Sequence, residues 1–254
     1  MIAGALAAAL VAFTARKMRT LSTNGAIAGA LAGTVAIAAG WSWGLLLLTY
    51  FTAASVLSKL GERRKAELVG SVIEKGVERD AGQILANGGV YTISALAFLV
   101  SPSAIWYAVG AGALAASAAD TWATEVGMLA RSEPVSIISG RRVPPGTSGG
   151  ITLIGTLACV AGALFIGAGA TLARWPVSFA AVVLGGLAGA LADSVLGGTV
   201  QSRRWCDLCS KPTERQVHSC GTRTRHADGL ELFDNDAVNA VCSGVGALVA
   251  LLLS

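Results

Sequence analysis

Long apolar runs, separated by short polar joints, extend along almost the whole chain, and this pattern constrains the fold more than any other feature. Hydrophobic residues make up 54% of the 254 residues and charged residues only 13%, and the mean hydropathy is +0.64. Soluble domains carry about 25% charged residues. The sequence therefore predicts an integral membrane protein built of helices, which satisfy their own backbone hydrogen bonds in lipid.

We place about eight helices in these runs, so the predicted fold is an all-α polytopic bundle forming one membrane-embedded domain, residues 1–254. Several runs are shorter than the roughly 20 residues that cross a bilayer upright. Seven is the alternative count, because short runs could be partial or re-entrant. The predicted helices are 2–15, 26–39, 41–57, 84–100, 104–120, 151–172, 177–200 and 237–253.

The basic residues are concentrated in alternate joints. If the long joints are cytoplasmic, every Lys and Arg except Arg174 lies inside, as the positive-inside rule expects. The predicted cytoplasmic loops are then 59–82, 121–150 and 200–236. Both termini lie outside if the first run crosses fully, and the N-terminus lies inside if it does not. No nucleic-acid motif accompanies the net charge of +4, so we expect no nucleic-acid partner.

Residues 144–150 read Pro-Pro-Gly-Thr-Ser-Gly-Gly and precede an apolar run at Ile151. Prolines end a helix and glycines leave the backbone accessible. The start of a following helix would offer free amides and the positive end of its dipole to an anion. We therefore predict a phosphate site; the alternative is a flexible turn. Its residues are Gly146, Thr147, Ser148, Gly149 and Gly150.

Three aspartates lie at one membrane level in the predicted topology: Asp120, Asp193 and Asp236. Carboxylates at membrane depth are costly and usually functional. Three together would repel one another unless a cation lay between them, and Mg²⁺ suits such oxygen ligands. The alternatives are helix caps for Asp120 and Asp236 and a buried hydrogen bond for Asp193. Glu125 is a further candidate ligand, and Asn235 and Asn239 flank Asp236.

A polar stripe enters the membrane at residues 75–87, where Lys75, Arg79, Gln83 and Asn87 recur every four residues. Residues at this spacing share one face of a helix. We expect the stripe either to line a polyanion site or simply to pack against other helices. Other candidate cations for the anion site are Arg63, Arg64, Arg141 and Arg142.

One loop contains Cys206, Cys209, His218 and Cys220. Two cysteines at this spacing form half of a tetrahedral zinc site, and His218 with Cys220 could complete it. His226 is an alternative ligand, and free cytosolic thiols are the alternative to a metal. A site closed by four protein ligands would be a structural Zn²⁺ site.

Five blocks of the chain together resemble a family of small polytopic membrane proteins that includes transmembrane protein 19 of animals and the phytyl-phosphate kinase of plant chloroplasts. The resemblance implies a kinase that adds a second phosphate to an isoprenyl monophosphate, with CTP as donor. The blocks are RDAGQILANG at 79–88, DTWATEVG at 120–127, PPGTSGG at 144–150, ADSVLG at 192–197 and DNDAVN at 234–239.

The leading hypothesis is thus a kinase acting on phytyl or geranylgeranyl phosphate at the cytoplasmic face of a prokaryotic plasma membrane, with the bilayer and nucleotide as partners. Asp120, Asp193 and Asp236, with Glu125, would hold Mg²⁺. Lys75 and Arg79 would neutralise phosphate charge. The alternatives are a cytidylyltransferase that makes a CDP-linked lipid and a cation- or proton-coupled transporter. The sequence leaves open whether the protein forms a homo-oligomer. Residues 146–150, Gln83, Asn87, Asn235 and Asn239 would bind nucleotide.

Overall fold

The computed structural model describes residues 2–69 and 78–254, and this part of the chain forms nine helices. Eight of them coincide with the predicted apolar runs, and the additional one, α4, is short and polar. The helices are α1 (Ile2–Lys17), α2 (Thr23–Ala39), α3 (Trp41–Lys59), α4 (Glu62–Val69), α5 (Ala81–Val100), α6 (Ala104–Gly127), α7 (Leu153–Leu172), α8 (Phe179–Thr199) and α9 (Asn235–Leu252).

Within the described residues, five helices are long and apolar enough to cross a membrane: α3, α5, α7, α8 and α9. The apolar helix α2 is shorter, at 17 residues. Helix α6 has 24 residues but carries Asp120 and Glu125. The chain is therefore a helical membrane protein with at least five candidate spans, and the count of seven or eight stays a prediction.

Helix α6 lies at the centre of the bundle and contacts α3, α5, α7, α8 and α9. Residues 110–119 are all buried, and most are Ala or Gly. A Cβ atom added to Gly246 of α9 would lie 2.5 Å from the Ala116 side chain and 2.6 Å from the Gly112 carbonyl oxygen. Small residues thus let these helices approach closely.

An aromatic cluster joins the helices at the end of the bundle where α3 and α6 begin. Trp43 is fully buried, and its ring centroid lies 4.5 Å from that of Trp175. The Tyr91 hydroxyl donates a hydrogen bond of 2.7 Å to the Trp43 carbonyl oxygen. Phe98 and Tyr107 complete the cluster. The carboxylates on α6 and α8 lie near the other ends of these helices.

The predicted all-α description omits two small antiparallel sheets in the loops. Strand β1 (Val135–Ser136) pairs with β2 (Gly150–Ile151). Strands β3 (Arg203–Cys206), β4 (Lys211–Thr213) and β5 (Arg225–Asp228) form a sheet in the order β4-β3-β5. These strands lie within the predicted loops 121–150 and 200–236, which are therefore structured and not plain connections.

The structure corrects several predicted helix boundaries, and those of α7 and α6 bear on the site. Helix α7 begins at Leu153 and not at Ile151, because the Thr152 hydroxyl accepts a hydrogen bond of 3.1 Å from the Gly155 amide and caps the helix. Helix α6 continues to Gly127, about two turns beyond Asp120. The first residues of the predicted 121–150 loop are therefore helical, and they hold Glu125 on the same helix as Asp120.

Candidate active site

One cavity of about 1100 Å³ brings most of the predicted site residues together. Its polar lining comes from the ends of α6 and α8, the starts of α5 and α9, and the loop before α7. Its apolar lining comes from α1, α2 and α3. Lys75 lies outside the described residues. The predicted residues in the lining are Arg79, Gln83, Asn87, Asp120, Glu125, Gly146, Thr147, Ser148, Gly149, Gly150, Asp193, Asn235, Asp236 and Asn239, with Arg64 from the wider set of cations.

Asp120 on α6 and Asp193 on α8 form the centre of the polar lining. Both line the cavity, and their carboxyl groups are close enough to interact electrostatically. Oδ2 of Asp193 is buried and has no hydrogen-bond partner within residues 2–69 and 78–254. Buried polar atoms are normally satisfied, so this oxygen is suited to a bound cation. Mg²⁺ commonly takes one or two carboxylates and completes its shell with water and phosphate oxygens.

Asp236 lines the same cavity from the first turn of α9, but it does not form a compact ligand group with the other two aspartates. In the described part of the chain, only the Cys/His loop brings three or more metal-ligating side chains within 4.8 Å of one another. The Asp120–Asp193 pair is therefore suited to one Mg²⁺, and Asp236 lies in the same cavity without completing a three-carboxylate group within 4.8 Å.

Glu125 has partners other than a metal. Its Oε2 accepts a hydrogen bond of 2.6 Å from Nζ of Lys65, and its Oε1 accepts one of 2.5 Å from the Ser58 hydroxyl. Nη2 of Arg79 donates to the same hydroxyl over 3.2 Å. We therefore assign Glu125 to a buried network that holds Lys65 and Arg79 beside the cavity, in place of the predicted metal ligand.

Replacement of Lys65 by methionine is expected to lower the free energy of unfolding by about 3–5 kcal/mol, because it leaves the Glu125 carboxylate buried without its cation. The two side chains are only 8% and 17% exposed. Chemical denaturation in detergent would measure the change. The double variant Lys65→Met/Glu125→Gln should recover much of the loss, and an unchanged loss would contradict a stabilising ion pair.

Arg79 reaches the cavity by a route different from the predicted helical stripe. Helix α5 begins at Ala81, because the Asp80 side chain accepts from the Gln83 amide and the Gln83 side chain accepts from the Asp80 amide. Arg79 lies before this capping box and pairs in an extended bridge with Leu21. Arg79, Gln83 and Asn87 nevertheless line one cavity.

The loop at residues 144–150 leads directly into β2 and does not form the N-terminus of α7. Its Thr147 amide donates to the Pro144 carbonyl oxygen over 3.2 Å, and its Gly150 amide donates to that of Thr147 over 3.0 Å. The amides of Gly146, Ser148 and Gly149 have no acceptor in the described part of the chain. Anion binding here would use these loop amides and not a helix dipole.

Gly149 brings this loop against α8. Its φ is +77°, in the left-handed region that favours glycine. A Cβ atom at this position would lie 2.6 Å from Cα of Gly198 and 2.8 Å from the Ser194 carbonyl oxygen. Both contacts are with backbone in the turn that follows Asp193, so Gly149 fixes the distance between the loop and the carboxylate pair.

Glu214 is a cavity residue that the sequence interpretation missed. Its Oε1 accepts a hydrogen bond of 2.7 Å from the Ser148 hydroxyl and one of 2.8 Å from Nε2 of Gln201. It follows β4 in the small sheet, 66 positions from Ser148. No local sequence signal links the two residues, because only tertiary packing places the sheet beside the loop.

The four predicted zinc ligands do converge: the ligand atoms of Cys206, Cys209, His218 and Cys220 all lie within 4.8 Å of one another. His226 is not part of this group. Hydrogen bonds from Thr222 and His218 lower the pKa of Cys220 to about 5, whereas a hydrogen bond with Cys220 raises the pKa of Cys209 to about 11. The convergence is confirmed, whereas zinc itself stays a prediction.

Comparison with known proteins gives matches over nearly the whole chain. The model of the family described as integral membrane protein DUF92 matches residues 6–247. Protein PGR of Arabidopsis thaliana is 29% identical over 268 residues, covering 95% of this chain and 91% of the relative. An uncharacterised membrane protein of Methanocaldococcus jannaschii is 29% identical, covering 96% and 90%. An uncharacterised membrane protein of Synechocystis is 29% identical, covering 65% and 66%. No solved structure matches.

Proposed function

The chain belongs to the integral membrane protein family DUF92, and we propose that it is a membrane-embedded, Mg²⁺-dependent kinase that phosphorylates an isoprenyl monophosphate. One observation carries this proposal: the carboxylate pair and the glycine-rich loop share a cavity with an apolar wall. A water-soluble phosphate compound would need only the polar part. A prenyl phosphate, such as phytyl or geranylgeranyl phosphate, would use both parts.

The apolar wall is suited to a hydrocarbon tail. On α3, lining residues occur from Trp41 to Ser58, a helical distance of about 26 Å at 1.5 Å per residue. This approaches the roughly 30 Å thickness of the hydrocarbon core. The lining combines larger apolar side chains of α3, such as Leu48 and Phe51, with small residues of α1 and α2. The small residues are Ala7, Ala8, Ala12, Gly29, Ala32 and Gly33.

The polar part is suited to two phosphate groups. Asp120 and Asp193 would hold Mg²⁺, which would neutralise charge on the transferred phosphoryl group. The amides of Gly146, Ser148 and Gly149 would donate hydrogen bonds to the nucleotide phosphates. The Ser58 contact keeps the Arg79 guanidinium near Glu125 beside the cavity. This division of roles needs no metal ligand from Glu125.

In the proposed reaction, an oxygen of the lipid phosphate forms a bond to the γ-phosphorus of the nucleotide. The bond from that phosphorus to the β,γ-bridging oxygen breaks, and the nucleoside diphosphate leaves with the electron pair. A phosphate monoester is largely ionised at pH 7, since its second pKa is about 6, so no strong general base is needed. In keeping with this, no histidine occurs among the described residues that line the cavity.

The distribution of charge supports a cytoplasmic orientation for this site. The polar part lies at the same end of the bundle as the loops 59–82, 121–150 and 200–236, which hold most of the Lys and Arg residues. The positive-inside rule assigns such loops to the cytoplasm, where nucleotides are available. CTP is the proposed donor because the sequence blocks resemble those of phytyl-phosphate kinase.

The test incubates the purified full-length protein in detergent with phytyl or geranylgeranyl monophosphate, Mg²⁺ and each γ-labelled nucleoside triphosphate in turn. The expected products are labelled lipid diphosphate and unlabelled nucleoside diphosphate. Release of pyrophosphate together with a CDP-linked lipid would show that the protein is a cytidylyltransferase and not a kinase. Absence of any lipid product with every nucleotide, together with cation-dependent uptake into liposomes, would favour a transporter.

The apolar wall predicts control of chain length. Replacement of Leu48 by tryptophan should fill part of the cavity, since Leu48 lines it from α3. We expect kcat/KM for geranylgeranyl phosphate to fall about tenfold or more relative to that for geranyl phosphate, because a longer tail loses more apolar contact. The control is Leu164→Trp, which enlarges an exposed residue of α7 outside the lining. Equal losses for both lipids would contradict the assignment.

A further inference from the structure

The three-stranded sheet of residues 203–228 has no hydrophobic core of its own. Its strands contain only four, three and four residues. Its buried side chains are Cys206, Thr213, His218 and Thr224, none of them a large apolar residue. Small sheets of this kind are marginal in water, and small domains without a sufficient core commonly depend on disulfides or metals. The sheet therefore needs a cross-link to persist as a fixed structure.

Two turns at the edge of this sheet bring four ligand atoms together. Cys206 and Cys209 flank the turn between β3 and β4. The second turn is closed by a 2.9 Å hydrogen bond from the His218 amide to the Thr222 carbonyl oxygen. The sulfur atoms of Cys206 and Cys220 lie 3.6 Å apart, and Nδ1 of His218 lies 3.2 Å from the Cys220 sulfur.

These distances are close to those of a tetrahedral metal site, and somewhat shorter. With Zn–S bonds of about 2.3 Å and Zn–N bonds of about 2.0 Å, two sulfur ligands should lie roughly 3.8 Å apart, and sulfur and nitrogen roughly 3.5 Å apart. A disulfide would hold its sulfurs about 2.05 Å apart. Three thiolates and one imidazole are soft ligands that select zinc over the Mg²⁺ proposed for the carboxylate pair.

We infer that Cys206, Cys209, His218 and Cys220 bind one structural Zn²⁺ ion, at a site separate from the proposed kinase centre. Four protein ligands close the coordination shell, so the ion has a structural role. His226 is not needed, although its Nε2 atom is buried without a partner in the described part of the chain. Neighbouring His226 thus provides a control within the same sheet.

Zinc bound at this site holds the Glu214 side chain at the cavity. Strand β4 ends at Thr213, and the next residue, Glu214, accepts the hydrogen bond from Ser148 in the glycine-rich loop. The sheet is also attached to α8, because Nη2 of Arg203 donates to the Gly198 carbonyl oxygen over 2.8 Å. The metal therefore stabilises the contact between the sheet and the loop at residues 144–150.

The test measures zinc and iron in the full-length protein purified in detergent and exchanged against a weak chelator. We expect about one zinc per chain and no iron. His218→Asn and Cys209→Ser should each lower the zinc content several-fold. His226→Asn and Cys159→Ser, which change a histidine and a cysteine outside the ligand group, should leave it unchanged. All four are assayed only as monodisperse, folded protein.

A second measurement does not depend on the folding of variants. A strong chelator applied to the unmodified protein should make residues 200–234 sensitive to protease and expose the three cluster thiols to maleimide, and added Zn²⁺ should reverse both changes. Less than about half an equivalent of zinc, stoichiometric iron, retention of zinc by His218→Asn, or resistance to protease after zinc removal would each overturn the inference. None of these readouts depends on kinase activity, so the two proposals fail separately.

Discussion

Replacement of Asp193 by asparagine is expected to lower the turnover of lipid phosphorylation by about 10³-fold or more, because it removes charge from the carboxylate pair that would hold Mg²⁺. Asparagine keeps the shape of the side chain, so the packing of α8 against α6 should not change. Transfer of labelled phosphate to prenyl phosphate at saturating Mg²⁺ measures the effect. Turnover within about tenfold of the unmodified protein would remove Asp193 from the metal site.

We expect the same variant to lose activity without losing stability. Asp120 and Asp193 are close enough to interact electrostatically, and two neighbouring carboxylates repel each other whenever both are ionised. In detergent without Mg²⁺, Asp193→Asn should therefore unfold at the same temperature as the unmodified protein or at a higher one. Glu231→Gln is the control, since it removes one carboxylate from an exposed position outside the cavity and should change neither quantity. Lower stability of Asp193→Asn would show that inactivity reflects damage to the fold.

Replacement of Gly149 by alanine should damage both the stability and the activity of the protein. Alanine at φ +77° costs about 1–2 kcal/mol, and its Cβ would lie 2.6 Å from Cα of Gly198, which is backbone and cannot rotate away. Overpacking of this kind costs about 1–3 kcal/mol more. Displacement of the glycine-rich loop from α8 by roughly 1 Å is expected to lower kcat about 10²-fold.

The matched control is Gly140→Ala. Gly140 also has a positive φ, +65°, but a Cβ atom there would meet nothing within 4 Å. This variant should show only the backbone cost of about 1–2 kcal/mol and keep its activity. Unfolding by denaturant and kcat for lipid phosphorylation distinguish the two variants. Equal behaviour of Gly149→Ala and Gly140→Ala would mean that close packing against α8 does not position the loop.

Local features made much of this protein predictable. Each apolar run became a helix, because a segment of this composition must satisfy its backbone within lipid or within the bundle. Two of the incorrect helix boundaries, the starts of α5 and α7, could also have been predicted from local capping residues. Asp80 and Gln83 match the capping box that starts α5, and Thr152 is a favourable cap for α7. Weighting these caps above the apolar pattern would have placed both boundaries correctly.

Contacts between distant parts of the chain were not predictable. Lys65 belongs to a charged loop with several other basic residues, yet among the residues that the structure describes it is Lys65 that pairs with Glu125, 60 positions away. Nothing in the local sequence around Glu214 indicates its contact with Ser148. Such pairings depend on how helices and sheets pack. The local sequence around each residue is compatible with several pairings of similar energy.

The sequence by itself determined the apolar helices, the candidate residues for the proposed phosphate and metal site, and the four Cys and His residues of the proposed zinc site, because hydropathy, capping and ligand spacing act over a few residues. Only the tertiary structure decided which aspartates meet. Glycine and alanine contacts let α6, α8 and α9 approach closely, and the packing of α6 and α8 brings Asp120 and Asp193 close enough to interact. The distance between two carboxylates depends on the packing of whole helices, which no local pattern specifies.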